Sequence, residues 1–365
     1  MSRAVLYGIQ PPRAPRSPWH RLPRWAVAVG LLTIAAWQPL LAQQPAAPAS
    51  LAAKPQRPTP VTTAQPATLQ YGLAPRELAP GHWVIEGAVD DFGRHNGCNI
   101  INTAMVLTAE GPVVINTGPS RLYGEQQRQA VQRIWTSAGG SPQAKGQVLS
   151  LNLHPDYFFG NQAWADWPTL ALPGTRAGMR AEGPAYADNL YRLCGDWMKG
   201  TESTPSKVDA TPGTLRVGQR TLALHRFQGH TDDDLVVLDP AAGVAYVGGL
   251  VFMNRVPTTP HANFDQWLAS LDALEAILKA GNYRWVVPSH GPIHTGLAGL
   301  NQTRDWLKWL TSAMATHADA GRDLGEVLHQ PAVPPRFADW AAMPAELHRS
   351  LTQWYPVYEK RALAR

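Results

Sequence analysis

The 365-residue chain lacks internal repeats, and with 2 cysteines it can close at most one disulfide. It also lacks a serine in a G-x-S-x-G setting. Ser120 and Ser289 both stand outside such an elbow, so neither is a convincing nucleophile. Net charge is missing from most of the chain. The formal value is +5, but Arg3, Arg13, Arg16, Arg21 and Arg24 all lie in the first 42 residues with no acidic partner, so the remainder is close to neutral. A near-neutral body gives no electrostatic support to nucleic-acid binding or to a membrane-surface role.

The N-terminus has a charged stretch followed by a mostly apolar run from Trp25 to Leu41. This pattern predicts a secretory signal over 1–42, ending at Leu40-Leu41-Ala42. An uncleaved membrane anchor is the alternative, disfavoured because the run is short for a spanning helix and contains Pro39. Residues 43–75 are expected to form a disordered, Pro/Ala-rich linker. Export implies the periplasm, with no membrane association after cleavage, and permits a bond between Cys98 and Cys194. Two separate buried thiols are the preferred expectation, because sequence does not show whether the pair comes within reach.

Short apolar and β-branched runs predict strands at 82–86, 99–108, 112–116, 147–153, 221–226, 235–239, 244–247 and 285–288. Phe264, Trp267, Leu268, Leu271, Leu274 and Leu278 share one helical face; Asn263 with Gln266 resembles a capping box, and Gly281 can end the helix. Trp306, Leu307, Leu310 and Met314 mark another amphipathic helix ahead of a break at Gly321. This order fits an α/β fold of two sheets sandwiched by helices, spanning 76–320, with a helical C-terminal extension over 321–365.

The stretch Asn152-Leu153-His154-Pro155-Asp156-Tyr157 has the spacing of H-x-H-x-D-H with two histidines replaced. Later come Gly229-His230-Thr231, Gly248-Gly249-Leu250-Val251-Phe252 and Ser289-His290-Gly291; Val114-Ile115-Asn116-Thr117-Gly118 lies upstream. In this order the motifs resemble those of the metallo-β-lactamase superfamily, with Asn116 for a supporting aspartate and Gly249 for the metal-bridging one. Asn152 to Asn161, Gly249 to Phe252 and Val256-Pro257-Thr258-Thr259-Pro260-His261 resemble one branch, the quinoprotein relay system zinc metallohydrolases. The resemblance implies a metallo-β-lactamase-like αββα sandwich, metal chemistry, and association with a periplasmic quinoprotein or cytochrome.

If the strand ran through Leu153, alternation would point Asn152, His154 and Asp156 the same way. The resemblance makes His154, Asp156, His230 and His290 the candidate metal ligands, two from each half of the family's two-metal site. Two dications about 3.5 Å apart repel by on the order of 20 kcal/mol at an effective dielectric near 20. With the bridging carboxylate gone, at most one zinc is expected, and a metal-free site of hydrogen-bonded histidines is the alternative. Asn152, Asp232 and His261 are candidate supports, with His261 also a candidate substitute ligand. At least two of Asp232, Asp233 and Asp234 are expected in an exposed acidic turn. Asp156 and Tyr157 are the candidate catalytic groups, the first to orient or deprotonate water and the second to donate to an oxyanion.

The leading expectation is a periplasmic metal-dependent hydrolase of an ester, thioester, lactone or amide, acting on a small molecule of unknown identity. The alternative is a non-catalytic, metal-poor binding or maturation factor of the quinoprotein system. β-Lactamase and glyoxalase II-like thioesterase activity are the less favoured alternatives, since the ligand set is depleted.

Overall fold

The computed structural model describes residues 68–365. The expected signal at 1–42 and the expected linker as far as residue 67 lie outside the described residues. The remaining linker residues, 68–75, run as coil along the domain. There Tyr71 packs edge-on against Tyr123, with ring centroids 5.1 Å apart, and its backbone N–H donates to Gln126.

Two sheets face each other. The first holds β1 (Arg76–Ala79), β2 (His82–Ile85), β3 (Thr103–Val106), β4 (Val113–Ile115), β5 (Gln147–Leu149), β6 (Thr169–Ala171) and β7 (Val208–Asp209), in that order. Its β1–β4 pairs are antiparallel, and its β4–β7 pairs are parallel. The second sheet comprises β8 (Gly213–Val217), β9 (Arg220–Phe227), β10 (Asp234–Asp239), β11 (Val244–Phe252) and β12 (Trp285–His290), ordered β12-β11-β10-β9-β8. Only β11 and β12 run parallel.

Strand alternation builds the layers. Val113 and Ile115 point between the sheets with Leu235, Val237, Val244 and Tyr246, forming the central core. Val114, between them in sequence, points outward with Met105 and Val148, under the helix α1 (Arg121–Ser137) and its Val131. On the other side Val236, Leu238, Ala245 and Val247 pack under further helices. The result is the αββα arrangement.

Helix α2 (Pro155–Phe158) and helix α3 (Pro173–Cys194) follow β5 and β6. The amphipathic stretch after residue 263 forms α4 (Phe264–Ala280). Asn263 accepts from the Gln266 N–H at 3.1 Å, and the helix ends at Gly281. Helix α5 (Ala298–Asp319) buries Trp306, Leu307, Leu310 and Met314. The C-terminal extension is helical: α6 (Leu324–His329), α7 (Pro335–Ala338) and α8 (Ala345–Leu363). It docks Val327, Phe337, Leu347, Leu351 and Tyr355 into the same core as α4 and α5.

Three expectations are corrected. The strand ends at Leu149 rather than Leu153, because β6 pairing stops at Leu170 and Pro155 opens α2 three residues after Asn152. Asp156 therefore sits in the first turn of a helix, and strand alternation does not place it. The strand expected over 99–108 shortens to β3. Cys98 and Cys194 are disulfide-bonded across 96 residues with Cα atoms 5.9 Å apart, so the two free thiols are not present. This bond ties the loop before β3 to the end of α3. Among the described residues no helix is long and apolar enough to cross a membrane.

Candidate functional site

The site lies where the segments after β4, β5, β9, β11 and β12 come together. Asn116 holds the floor. It adopts a left-handed backbone (φ 57°), a conformation asparagine tolerates, and its Oδ1 accepts from the Leu151 N–H at 3.0 Å. The carboxamide thus fastens the segment that leads into the motif, a role for which a charge is not required. Asn102 fastens the opposite wall, donating through Nδ2 to the carbonyls of Pro288 (2.9 Å) and Gly291 (2.8 Å) on either side of His290.

One half of the site is a closed hydrogen-bond network around Asp234. Its Oδ1 accepts from Asn152 Nδ2 at 2.5 Å, its Oδ2 accepts from the Thr231 N–H at 2.8 Å, and His230 Nδ1 stands 3.4 Å from Oδ1. Asn152 accepts the His154 N–H through its Oδ1 at 3.0 Å. Both of its polar ends are committed to hydrogen bonds within the protein. The rings of His154 and His230 meet edge-to-face with centroids 4.8 Å apart. His154 Nε2 is buried without a partner, while His230 Nε2 faces Thr258 Oγ1 at 3.4 Å. Burial and the neighbouring imidazoles hold His154 well below the usual histidine range, so its ring is neutral.

The other half pairs Asp156 with His290, whose Nε2 lies 3.4 Å from Asp156 Oδ2. His290 Nδ1 donates to the Ile100 carbonyl at 2.9 Å, which leaves Nε2 as the acceptor. Burial raises the Asp156 carboxyl to about 7. Tyr157 stands between the halves, its ring centroid 6.4 Å from that of His154 and 6.1 Å from that of His290. Its buried hydroxyl has no hydrogen-bond partner; burial and the Asp156 charge push its pKa well up, so it stays a neutral phenol able to donate or accept.

The expected support from Asp232 is corrected. Asp232 is exposed, and its carbonyl accepts from Gln228 Nε2 at 3.0 Å. The residue behind His230 is Asp234, the first residue of β10. Asp233 is buried as well and accepts the Gly174 N–H at 2.6 Å, so the acidic run is mostly interior rather than an exposed turn. His261 lies beside the site, its ring centroid 5.4 Å from that of His154, with its Nε2 2.9 Å from Tyr186 Oη.

Sequence reasoning settled on the wrong member of the acidic run and passed over Arg255. Asp234 had a signal, since it is the residue of the acidic run that opens a buried strand. Arg255 is fully buried beyond the end of β11, and its positive charge acts on Asp156, Tyr157 and His290. Its signal was a lone cation between an apolar strand and a proline-rich loop.

The chain is similar to the solved structure of VMB-1, with a TM-score of 0.51 and 15% identity, covering 67% of this chain and 99% of that one. It is likewise similar to metallo-β-lactamase IND-7, with a TM-score of 0.50 and 18% identity, covering 66% of this chain and 100% of that one. The fold is that of the metallo-β-lactamases. No family model and no curated protein matches the chain.

A metallo-β-lactamase fold implies zinc, and zinc takes four donors or three and a water. Among the described residues no group of three or more histidine, cysteine, aspartate or glutamate side chains is arranged to hold a metal ion. The expected ligands pair off, His154 with His230 and Asp156 with His290, with Tyr157 between the pairs. Gly249 explains part of this. A Cβ there would lie 2.1 Å from His230 Nδ1 and 3.0 Å from the Tyr157 hydroxyl. The His230 ring therefore occupies space that a side chain at 249 would need, and it leans on Asp234. As arranged, these residues do not fit a zinc ion.

Proposed function

We propose that this chain is a metal-poor binding or maturation factor of a periplasmic quinoprotein dehydrogenase system, built on a hydrolase fold and without hydrolytic turnover of its own. The observation that carries this reading is the mutual exclusion of the His230 ring and any side chain at Gly249, with Asn152 and Asp234 holding the ring in place. The fold keeps its site but has filled it with its own side chains. His154 Nε2, Asp156 Oδ2 and Tyr157 Oη remain buried without hydrogen-bond partners inside this filled site. The quinoprotein assignment is supported by the motif resemblance at 152–161 and 256–261, and the periplasm by the N-terminal pattern.

A second reading, a one-zinc hydrolase of an ester, thioester, lactone or amide, draws support from those same unpartnered donors. The carbonyl behind His290 Nδ1 also suits a metal ligand. Hydrolysis of a panel of the four substrate classes, with and without added zinc, separates the two. The binding reading expects no turnover in either condition. Zinc-dependent turnover that disappears in His154→Ala and His230→Ala would establish the hydrolase in its place.

A further inference from the structure

A cavity of about 610 Å³ opens next to the site, between the Asp91–Phe92 loop, the end of α3, the segment 255–260 and α8. Arg255 belongs to its wall. The Arg255 Nε donates to the Asp90 carbonyl at 2.8 Å and Nη1 to the Val256 carbonyl at 3.0 Å, but Nη2 is buried with no hydrogen-bond partner. The neighbouring carboxylate oxygen, Asp91 Oδ1, is 3.8 Å away, beyond hydrogen-bond reach. Asp91 is engaged elsewhere: its Oδ2 accepts from Arg349 Nη2 at 2.6 Å, and Glu346 holds the same guanidinium from within α8. The guanidinium is thus hydrogen-bonded to two neutral carbonyls with a carboxylate at 3.8 Å, an arrangement that leaves one buried donor without an acceptor. Phe92, Leu193 and Pro260 make the cavity largely apolar elsewhere, and Thr258 joins it to His230.

We propose that this cavity binds a small organic carboxylate with an apolar body. The carboxylate takes the free Nη2 of Arg255, displacing Asp91, and the body lies along Phe92 and Leu193. Asp91, released from Arg255, keeps its pairing with Arg349. The C-terminal helix α8 is then a binding element as well as a packing one. This names the ligand class for the binding reading above and rests on it.

The test is calorimetric titration of the full chain with 3-phenylpropionate and with its amide, which has the same shape and no charge. The expected result is saturable binding of the carboxylate and about 10-fold or weaker binding of the amide, since a hydrogen bond to a charged group is the difference. Arg255→Gln removes that preference. Because Arg255 is buried and its variant is at risk of misfolding, Thr352→Trp, at an exposed α8 position on the cavity wall, provides a second arm and abolishes binding by filling the space. Equal affinity for acid and amide, absence of saturable carboxylate binding, or binding untouched by Thr352→Trp overturns the proposal. Zinc content measured on the same samples tests the metal-poor reading separately, since a zinc-loaded chain defeats that reading while the acid-to-amide ratio still decides this one.

Discussion

The two halves of the site have been altered in different ways. Around Asp234, each replaced group is absorbed into a hydrogen-bond network: Asn152 donates to Asp234 and caps His154, and His230 leans into the room above Gly249. Around Asp156, the polar groups stay unpartnered and a buried arginine has been brought alongside. The Asp234 half is satisfied except at His154 Nε2, whereas the Asp156 half leaves both Asp156 Oδ2 and the neighbouring Arg255 Nη2 without a partner. Ligand-binding potential therefore concentrates on the Asp156–Arg255 side, and scaffold stability on the Asp234 side.

The comparison can be broken first at the disulfide, which pins the loop bearing Asp91 to α3. Closing a loop of this size is worth about 4.7 kcal/mol in chain-entropy terms, so Cys98→Ala with Cys194→Ala should lower unfolding free energy by several kcal/mol in denaturant titration. Next comes Asp156. Its folded-state carboxyl at about 7 lies above the unfolded value of 3.8, so the folded protein retains a proton that the unfolded chain gives up. Stability should therefore fall as pH rises from about 4 to 7 and level off above that, by on the order of 4 kcal/mol at full effect. Asp156→Asn should flatten this slope; an unchanged slope would remove the buried-carboxyl account of this half.

On the other side, Asp234→Ala strands the Thr231 N–H and removes the short bond from Asn152 Nδ2, and should cost about 3 kcal/mol. Gly249→Ala should cost about 1–3 kcal/mol, because the new methyl must displace the His230 ring. Asp232→Asn is the control, expected to change stability by less than about 0.5 kcal/mol. Equal losses for Asp232→Asn and Asp234→Ala in thermal unfolding would erase the assignment of Asp234 as the support.

Long, strongly patterned elements were legible in the sequence. The α4 face from Phe264 to Leu278, its Asn263 cap, and the buried strands β10 and β12 all follow from periodicity and end signals. Weakly patterned elements were not. Strands β6 and β7 have only 3 and 2 residues. Helix α3 contains Gly174, Gly178, Gly183 and Pro184, which mask a helical pattern that tertiary packing stabilises. The motif residues were readable as a set, but their arrangement was not. The orientation of Asn152 depends on Asp234, 82 residues away, and the position of His230 depends on the absence of a side chain at Gly249. Such couplings have no one-dimensional signature. The same holds for Cys98 and Cys194, which meet only because α3 runs back along the loop before β3.

The most direct test of the central claim is elemental analysis of the protein purified without added metal, expressed as moles of zinc per mole of protein. An interior filled by His230 and Tyr157, with donors in separate pairs, predicts a value of about zero. A value of about one or more would contradict the account.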